Sequence, residues 1–120
     1  MNSNRVHFVI DLTISEGKFK EFEATVRLMT EGTAKEQGAL EYEWYLTSDR
    51  RRCRLLETYA NVDAMQKHLG SAVVKELVPK LLTFAAISRF EVYGNPDAQS
   101  AAALKSFGAE IYQHWRGVPS

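Results

Sequence analysis

The feature that most constrains the fold is the period-two alternation of apolar and polar side chains across residues 5–14. Its apolar members are Val6, Phe8, Ile10, Leu12 and Ile14. Because successive side chains of a strand point to opposite faces of a sheet, the alternation predicts a strand with one buried face. The same pattern predicts three further strands, at residues 39–47, 51–60 and 86–93.

Between these strands, apolar residues recur at spacings of three and four, which is typical of helices that bury one stripe. The first stripe predicts a helix that ends near Gly38. Asn61 is a favourable cap for a second helix, which we expect to break near Gly70 and Pro79. A last helix is predicted over residues 97–116, with an apolar side formed by Leu104, Phe107, Ile111 and Trp115.

The predicted order is strand, helix, strand, strand, helix, strand, followed by the extra helix. This order indicates an α+β, ferredoxin-like fold in which both main helices cover one face of an antiparallel sheet. We expect a single domain over residues 1–120, with a core at 5–94 and a helical extension at 97–116. The other sheet face would expose a set such as His7, Val9, Leu56 and Phe90, or the opposite set. Because exposed apolar sheet surface usually marks an interface, we expect a homodimer.

Charge and composition argue against nucleic acid and membranes as partners and favour a reducing compartment. The 120 residues contain 15 Lys+Arg and 15 Asp+Glu, so no net field attracts nucleic acid or an anionic membrane. The basic cluster of Arg50, Arg51, Arg52 and Arg54 is expected to be a solvated hairpin end. No segment is long and apolar enough to span a bilayer. The lone Cys53 and the lack of a signal-peptide pattern favour the cytoplasm.

Metal and nucleotide cofactors are not expected from the motifs. The three histidines, His7, His68 and His114, fall in different predicted elements and none has a neighbour at metal-ligand spacing. Glycine-rich phosphate-binding loops are also missing from the sequence. We therefore predict a site with no metal and no cofactor.

The most informative segment is residues 55–69, in which a strand carboxylate is followed by a helical histidine. Glu57 shares a strand face with Leu55 and Tyr59, where a carboxylate is costly to bury without a partner. His68 lies two turns into the next helix and is expected to point inward. A hydrogen-bonded Glu57–His68 pair would fix the imidazole tautomer and raise its basicity. The alternative is a surface glutamate and a structural histidine.

Aromatic residues are concentrated in the predicted strands around this pair. They are Tyr42, Trp44, Tyr59 and Phe90. Such rings could wall a flat pocket for a planar ligand, or they could simply be core.

Three segments resemble the antibiotic biosynthesis monooxygenase family: GALEYEWY (38–45), LLETYANVDAMQKHL (55–69) and FEVYG (90–94). The Gly-Lys start of the family's first helix is matched by Gly17 and Lys18. Its Glu-x-Trp/Tyr strand motif is matched by Glu57 and Tyr59, and its histidine eleven residues beyond that glutamate by His68.

The resemblance covers residues 5–94 and implies a dimeric α+β barrel whose pocket lies between the sheet and the helices of each protomer. Family activities include cofactor-independent oxygenation of quinols and polyphenols, haem degradation and isomerisation. Haem is disfavoured because the tryptophan of the haem-degrading branch falls at His68, with no later histidine in that helix to ligate iron. A small aromatic substrate and dioxygen are the expected partners.

On this reading His68 is the catalytic base and Glu57 its orienting partner. The substrate-binding residues would be Tyr59, Trp44 and Tyr42 as walls or hydrogen-bond donors, with Asn61 and Arg89 as stabilisers of an oxyanion. Two alternatives stay open at this point. One is a binding module without turnover, and the other is an isomerase of a small ketone that uses the same pair.

Overall fold

The computed structural model describes residues 4–119, so the ends of the predicted domain, residues 1–3 and 120, lie outside it. Its strands are β1 (Val6–Ile14), β2 (Ala39–Leu46), β3 (Arg52–Tyr59), β4 (Ala85–Tyr93) and β5 (Glu110–Tyr112). Its helices are α1 (Phe19–Ala34), α2 (Val62–Leu69), α3 (Val78–Leu81) and α4 (Ala98–Ser106), with a π-helical turn at Val73–Leu77. None of these helices is long and apolar enough to cross a membrane.

The strands form one sheet in the order β2-β3-β1-β4-β5. The first four pair antiparallel, and the helices cover the face that carries Phe8, Leu12 and Leu55. The predicted α+β ferredoxin-like fold is therefore confirmed. The alternation of residues 5–14 explains it, because Val6, Phe8, Ile10, Leu12 and Ile14 face the helices while the intervening side chains, Val9 among them, form the opposite face.

The connection from β3 into the helices begins and breaks at the residues predicted from the sequence. The Asn61 side chain accepts a hydrogen bond from the backbone N–H of Ala64 at 2.9 Å, which caps α2. Gly70 ends α2, and Pro79 lies in the first turn of α3, where its missing N–H costs nothing. The expected break of the second helix is confirmed, and α2 holds His68 above β3.

The predicted helix over residues 97–116 is wrong beyond α4. Gly108 adopts a φ of +89°, a left-handed conformation that stops helix propagation. The chain then forms β5, which pairs in parallel with β4 and places Ile111 beside Val92. Trp115 lies after β5 and is exposed rather than part of a helix face.

The sheet face opposite the helices, called here the open face, is lined by side chains from all five strands. In the pairing of β1 with β4, Arg89 lies opposite Asp11 on this face, whereas Phe90 lies opposite Ile10 on the helix-covered face. Grouping Phe90 with His7 and Val9 was therefore wrong. The cause is a register irregularity in the β1–β4 pair after Asp11, which simple alternation does not reveal.

Candidate active site

A cavity of about 110 Å³ lies between the sheet and the helices. Four of the residues that line it carry polar side-chain atoms, namely Tyr42 and Trp44 of β2, Glu57 of β3 and His68 of α2. The other lining side chains are apolar. A mostly apolar lining with a few converging polar groups is typical of a small-molecule site.

His68 is buried, and a carboxylate fixes its ring. Its Nδ1 lies 2.8 Å from Oε1 of Glu36, a residue just beyond the end of α1. Because a carboxylate oxygen accepts hydrogen bonds, we assign the proton to Nδ1. Nε2 is then the unprotonated nitrogen of the neutral imidazole. The Glu36 carboxylate therefore fixes the orientation and tautomer of the His68 ring, as the acid does for the histidine of a catalytic triad.

Glu57 is also buried, but its contacts differ from those expected. Its Oε1 lies 3.6 Å from Nε2 of His68, which is beyond hydrogen-bond length. The hydroxyl of Tyr59 donates a hydrogen bond to the same oxygen. The expected direct Glu57–His68 hydrogen bond is therefore wrong. Glu57 lies beside the base, while Glu36 is its hydrogen-bonded partner.

Burial shifts the pKa of Glu57 upward and that of His68 downward, and both shifts favour the neutral form of the group. Desolvation raises the pKa of Glu57 to about 7, with a further raising effect from Glu36 and an opposing one from the Tyr59 hydroxyl. Desolvation lowers the pKa of His68 below its usual value, against the attraction of Glu36. At neutral pH the imidazole is therefore largely uncharged and able to accept a proton. Perturbed titrating groups in a cavity are typical of functional sites.

Three of the four aromatic residues predicted around the pair line this cavity, namely Tyr42, Trp44 and Phe90. The rings of Tyr42 and Trp44 pack edge to face with centroids 5.6 Å apart, and Tyr42 lies 5.8 Å from the His68 ring. Burial, followed by the charge of Glu57, raises the pKa of Tyr42, which keeps its hydroxyl protonated. The indole N–H of Trp44 is buried and has no hydrogen-bond partner among residues 4–119. An unsatisfied donor in a cavity wall can serve a bound oxygen atom.

Three of the predicted substrate-binding residues do not line the cavity. Tyr59 lies behind Glu57, where it is fully buried. The Asn61 side chain is occupied as the cap of α2. Arg89 is on the open face, 3.5 Å from a carboxylate oxygen of Glu91 and 4.0 Å from Asp11. Strand alternation separates Arg89 from His68, so the expected oxyanion role finds no support in its position.

Glu36 is the residue that sequence reasoning missed. It lies 32 positions before His68, and no local motif links the two. The available signal was its place two residues before Gly38, at the corner where α1 turns into β2 beside α2. Among residues 4–119, no group of three or more His, Cys, Asp or Glu side chains could hold a metal ion.

Comparison with known proteins supplies the family. Residues 5–80 match the family model described as antibiotic biosynthesis monooxygenase. No curated protein matches the chain significantly in sequence.

Several solved structures share the fold. MupZ from Pseudomonas fluorescens matches with a TM-score of 0.82 at 20% identity, over 98% of this chain and 95% of MupZ. SnoaB from Streptomyces nogalater, described as a cofactor-independent oxygenase, matches with a TM-score of 0.68 at 16% identity, over 79% of this chain and 96% of SnoaB. A conserved protein from Methanosarcina mazei matches at 0.68 and 21% identity, over 78% and 95% of the two chains. Since the family model spans more than half of the sequence, the chain belongs to the antibiotic biosynthesis monooxygenase family.

Proposed function

We propose that this protein is a cofactor-independent monooxygenase that acts on a small phenol or quinol. The observation that carries the proposal is a neutral, carboxylate-oriented imidazole at an apolar cavity. Nδ1 of His68 is engaged with Glu36, so Nε2 is left to accept a proton from a substrate in the cavity. Family membership supports the same reaction class.

The first step is removal of the phenolic proton by Nε2 of His68. The imidazolium that forms lies between two carboxyl groups, Glu36 at 2.8 Å from Nδ1 and Glu57 at 3.6 Å from Nε2. The negative charge of Glu36, joined by that of Glu57 as pH rises through the Glu57 pKa of about 7, stabilises the protonated ring inside a cavity of low dielectric constant. The buried N–H of Trp44 would donate to the phenolate oxygen, which supplies the partner that this donor lacks among residues 4–119.

The second step is reaction of the phenolate with dioxygen. The electron-rich ring gives one electron to dioxygen, and the resulting radical pair combines at a ring carbon to form a peroxide, which the His68 imidazolium protonates. The O–O bond then breaks as the ring carbon loses its proton. One oxygen atom becomes a quinone carbonyl and the other leaves as water. The substrate supplies all four electrons, so the reaction needs no other reductant. Apolar walls shield the anion and the radical pair from water.

A homodimer that buries the open face belongs to the same proposal. This face carries exposed aromatic rings, including Tyr45, Tyr93 and Tyr112. Exposed apolar surface of this kind supports an interface. Sedimentation equilibrium at micromolar concentration should give twice the monomer mass, and a monomer there would contradict the dimer.

The direct test is a screen of catechols and hydroquinones in an oxygen electrode with protein stripped of metal by chelation. We expect stoichiometric oxygen uptake above the autoxidation blank with at least one compound, and its loss in His68→Ala. Binding without oxygen uptake would instead support a module without turnover. Exchange of an α-proton of a small ketone, again without uptake, would support an isomerase.

A further inference from the structure

The cavity changes character along its length. At its buried end lie Glu57 and His68, whose exposed fractions are 4% and 3%. The same cavity is also lined by Phe107, Leu82 and Ile87, which are 67%, 39% and 37% exposed. The cavity therefore runs from a buried polar end to a solvent-exposed apolar rim.

The rim is built by three separate elements. Leu82 follows α3, Ile87 lies on β4, and Phe107 directly follows α4, with the buried Leu104 of α4 also lining the cavity. Large apolar side chains from two segments of the chain, one with Leu82 and Ile87 and the other with Phe107, thus converge at one opening. Leaving them in water is unfavourable, so a cluster of this kind usually marks a binding surface. Leu104 and Phe107 lie outside the residues that the family model matches, so family membership does not imply this feature.

The size of the cavity restricts what can reach the rim. Its volume is about 110 Å³. An apolar cavity of roughly 150 Å³ is known to hold benzene, so this smaller cavity has room for at most a single ring. A larger substrate must therefore leave the cavity through the rim, and a linear chain passes a narrow opening more easily than a second fused ring.

We propose that Leu82, Ile87 and Phe107 form a subsite for an aliphatic chain carried by the aromatic substrate. The substrate class is then an alkyl-substituted phenol or quinol, with its hydroxyl at His68 and its chain lying across the rim. The inference rests on the proposed function for the position of the hydroxyl. The chain subsite itself stands on the exposed apolar rim and on the cavity volume.

The test is anaerobic titration calorimetry with 4-alkylcatechols from methyl to hexyl, because binding without dioxygen needs no turnover. Each methylene buried at the rim should tighten binding by up to about fourfold until the chain outgrows the subsite. Leu82→Ser and Phe107→Ser should flatten this dependence on chain length, and Phe107→Leu should restore part of it. The matched control is Leu28→Ser, since Leu28 is a similarly exposed leucine, 47%, on α1 and outside the cavity lining.

Several outcomes would overturn the subsite. One is a wild-type affinity that does not change with chain length, and another is an equal loss in Leu28→Ser. Tighter binding of 2,3-dihydroxynaphthalene than of 4-butylcatechol, which has as many carbons, would assign the rim to a second ring. A fall in sedimentation coefficient in Phe107→Ser would assign it to a second copy of this chain. Affinity that rises with chain length but without any oxygen uptake would retain the subsite and refute the monooxygenase. Oxygen uptake with an affinity that does not depend on chain length would retain the monooxygenase and refute the subsite.

Discussion

The two faces of the sheet each hold a histidine connected to a glutamate, yet only one of the two arrangements resembles a catalytic site. On the open face, Nδ1 of His7 lies 2.9 Å from Oγ1 of Thr58, which donates to Glu41 at 2.6 Å. On the covered face, His68 bonds directly to Glu36. The first chain of contacts borders solvent, whereas the second borders an apolar cavity.

The acids of the two faces show why this difference matters. On the open face, the Arg54 guanidinium hydrogen-bonded to Asp11 lowers the pKa of that carboxyl. On the covered face, no Lys or Arg within the described chain pairs with Glu57, and burial raises its pKa to about 7. An acid that is partly exposed and paired with an arginine costs the fold little free energy, whereas a buried acid without a basic partner lowers its stability. Buried groups with perturbed pKa values cluster at functional sites, which is why the covered face is the candidate site.

The largest expected contrast is between the two histidines. His68→Ala removes the proposed base and should lower kcat/KM by about 10²–10⁴-fold, the usual contribution of general-base catalysis. His7→Ala should retain activity, because His7 does not reach the cavity. Steady-state oxygen uptake on the best substrate from the screen measures both. Equal losses in the two variants would remove the distinction between the faces.

The buried acid should also make stability depend on pH. Because the folded-state pKa of Glu57 lies above its unfolded value, the folded form holds its proton while the unfolded form loses it. Its contribution to stability is full below about pH 4.5 and is lost as pH rises through 7, by up to about 3 kcal/mol. The difference in unfolding free energy between wild type and Glu57→Gln, measured in urea at several pH values, should show this fall.

Tyr59→Phe is the matched variant for that measurement. The Tyr59 hydroxyl lowers the pKa of Glu57, so its removal should extend the loss of stability to higher pH. If the difference in unfolding free energy between wild type and Glu57→Gln does not change between pH 4.5 and 7.5, Glu57 is not the buried, unpaired acid described here.

Glu36→Gln should have an intermediate effect on catalysis. The amide can still accept a hydrogen bond from Nδ1, but it lacks the charge that stabilises the imidazolium, so kcat should fall about tenfold. Since Glu36 raises the pKa of His68, its neutralisation should also shift the acidic limb of the pH–rate profile to lower pH. Glu41→Gln on the open face is the control, and an unchanged limb in Glu36→Gln would exclude this role.

The smallest effect is expected from the ion pair on the open face. Arg54→Met should cost at most about 1 kcal/mol, because both partners are partly exposed. The pKa of Asp11 is lowered, so the pair stabilises the fold above the unfolded pKa of that acid and loses its effect as pH falls through the folded value. Urea unfolding at pH 3 and pH 7 checks this, and a larger loss at pH 3 would contradict it.

Local patterns predicted most of the fold and several of the residues that line the candidate site, including His68 and Glu57. Strand alternation and the Asn61 cap depend on neighbouring residues, and both are found in the structure. Glu36 could not be predicted because its contact with His68 depends on how α1 and α2 pack. The C-terminal error arose because Leu104, Phe107 and Ile111 satisfy helical spacing although Ile111 belongs to β5.

The most direct test of the central claim is isotope labelling of the reaction with ¹⁸O₂. The substrate is one identified in the oxygen-electrode screen, and the products of wild type and His68→Ala are compared by mass spectrometry. We expect one labelled oxygen atom in the wild-type quinone and one in water, with the labelled quinone reduced at least about a hundredfold in His68→Ala. Unlabelled product, or equal labelling in the two proteins, would show that His68 in its buried cavity is not the base of an oxygenation.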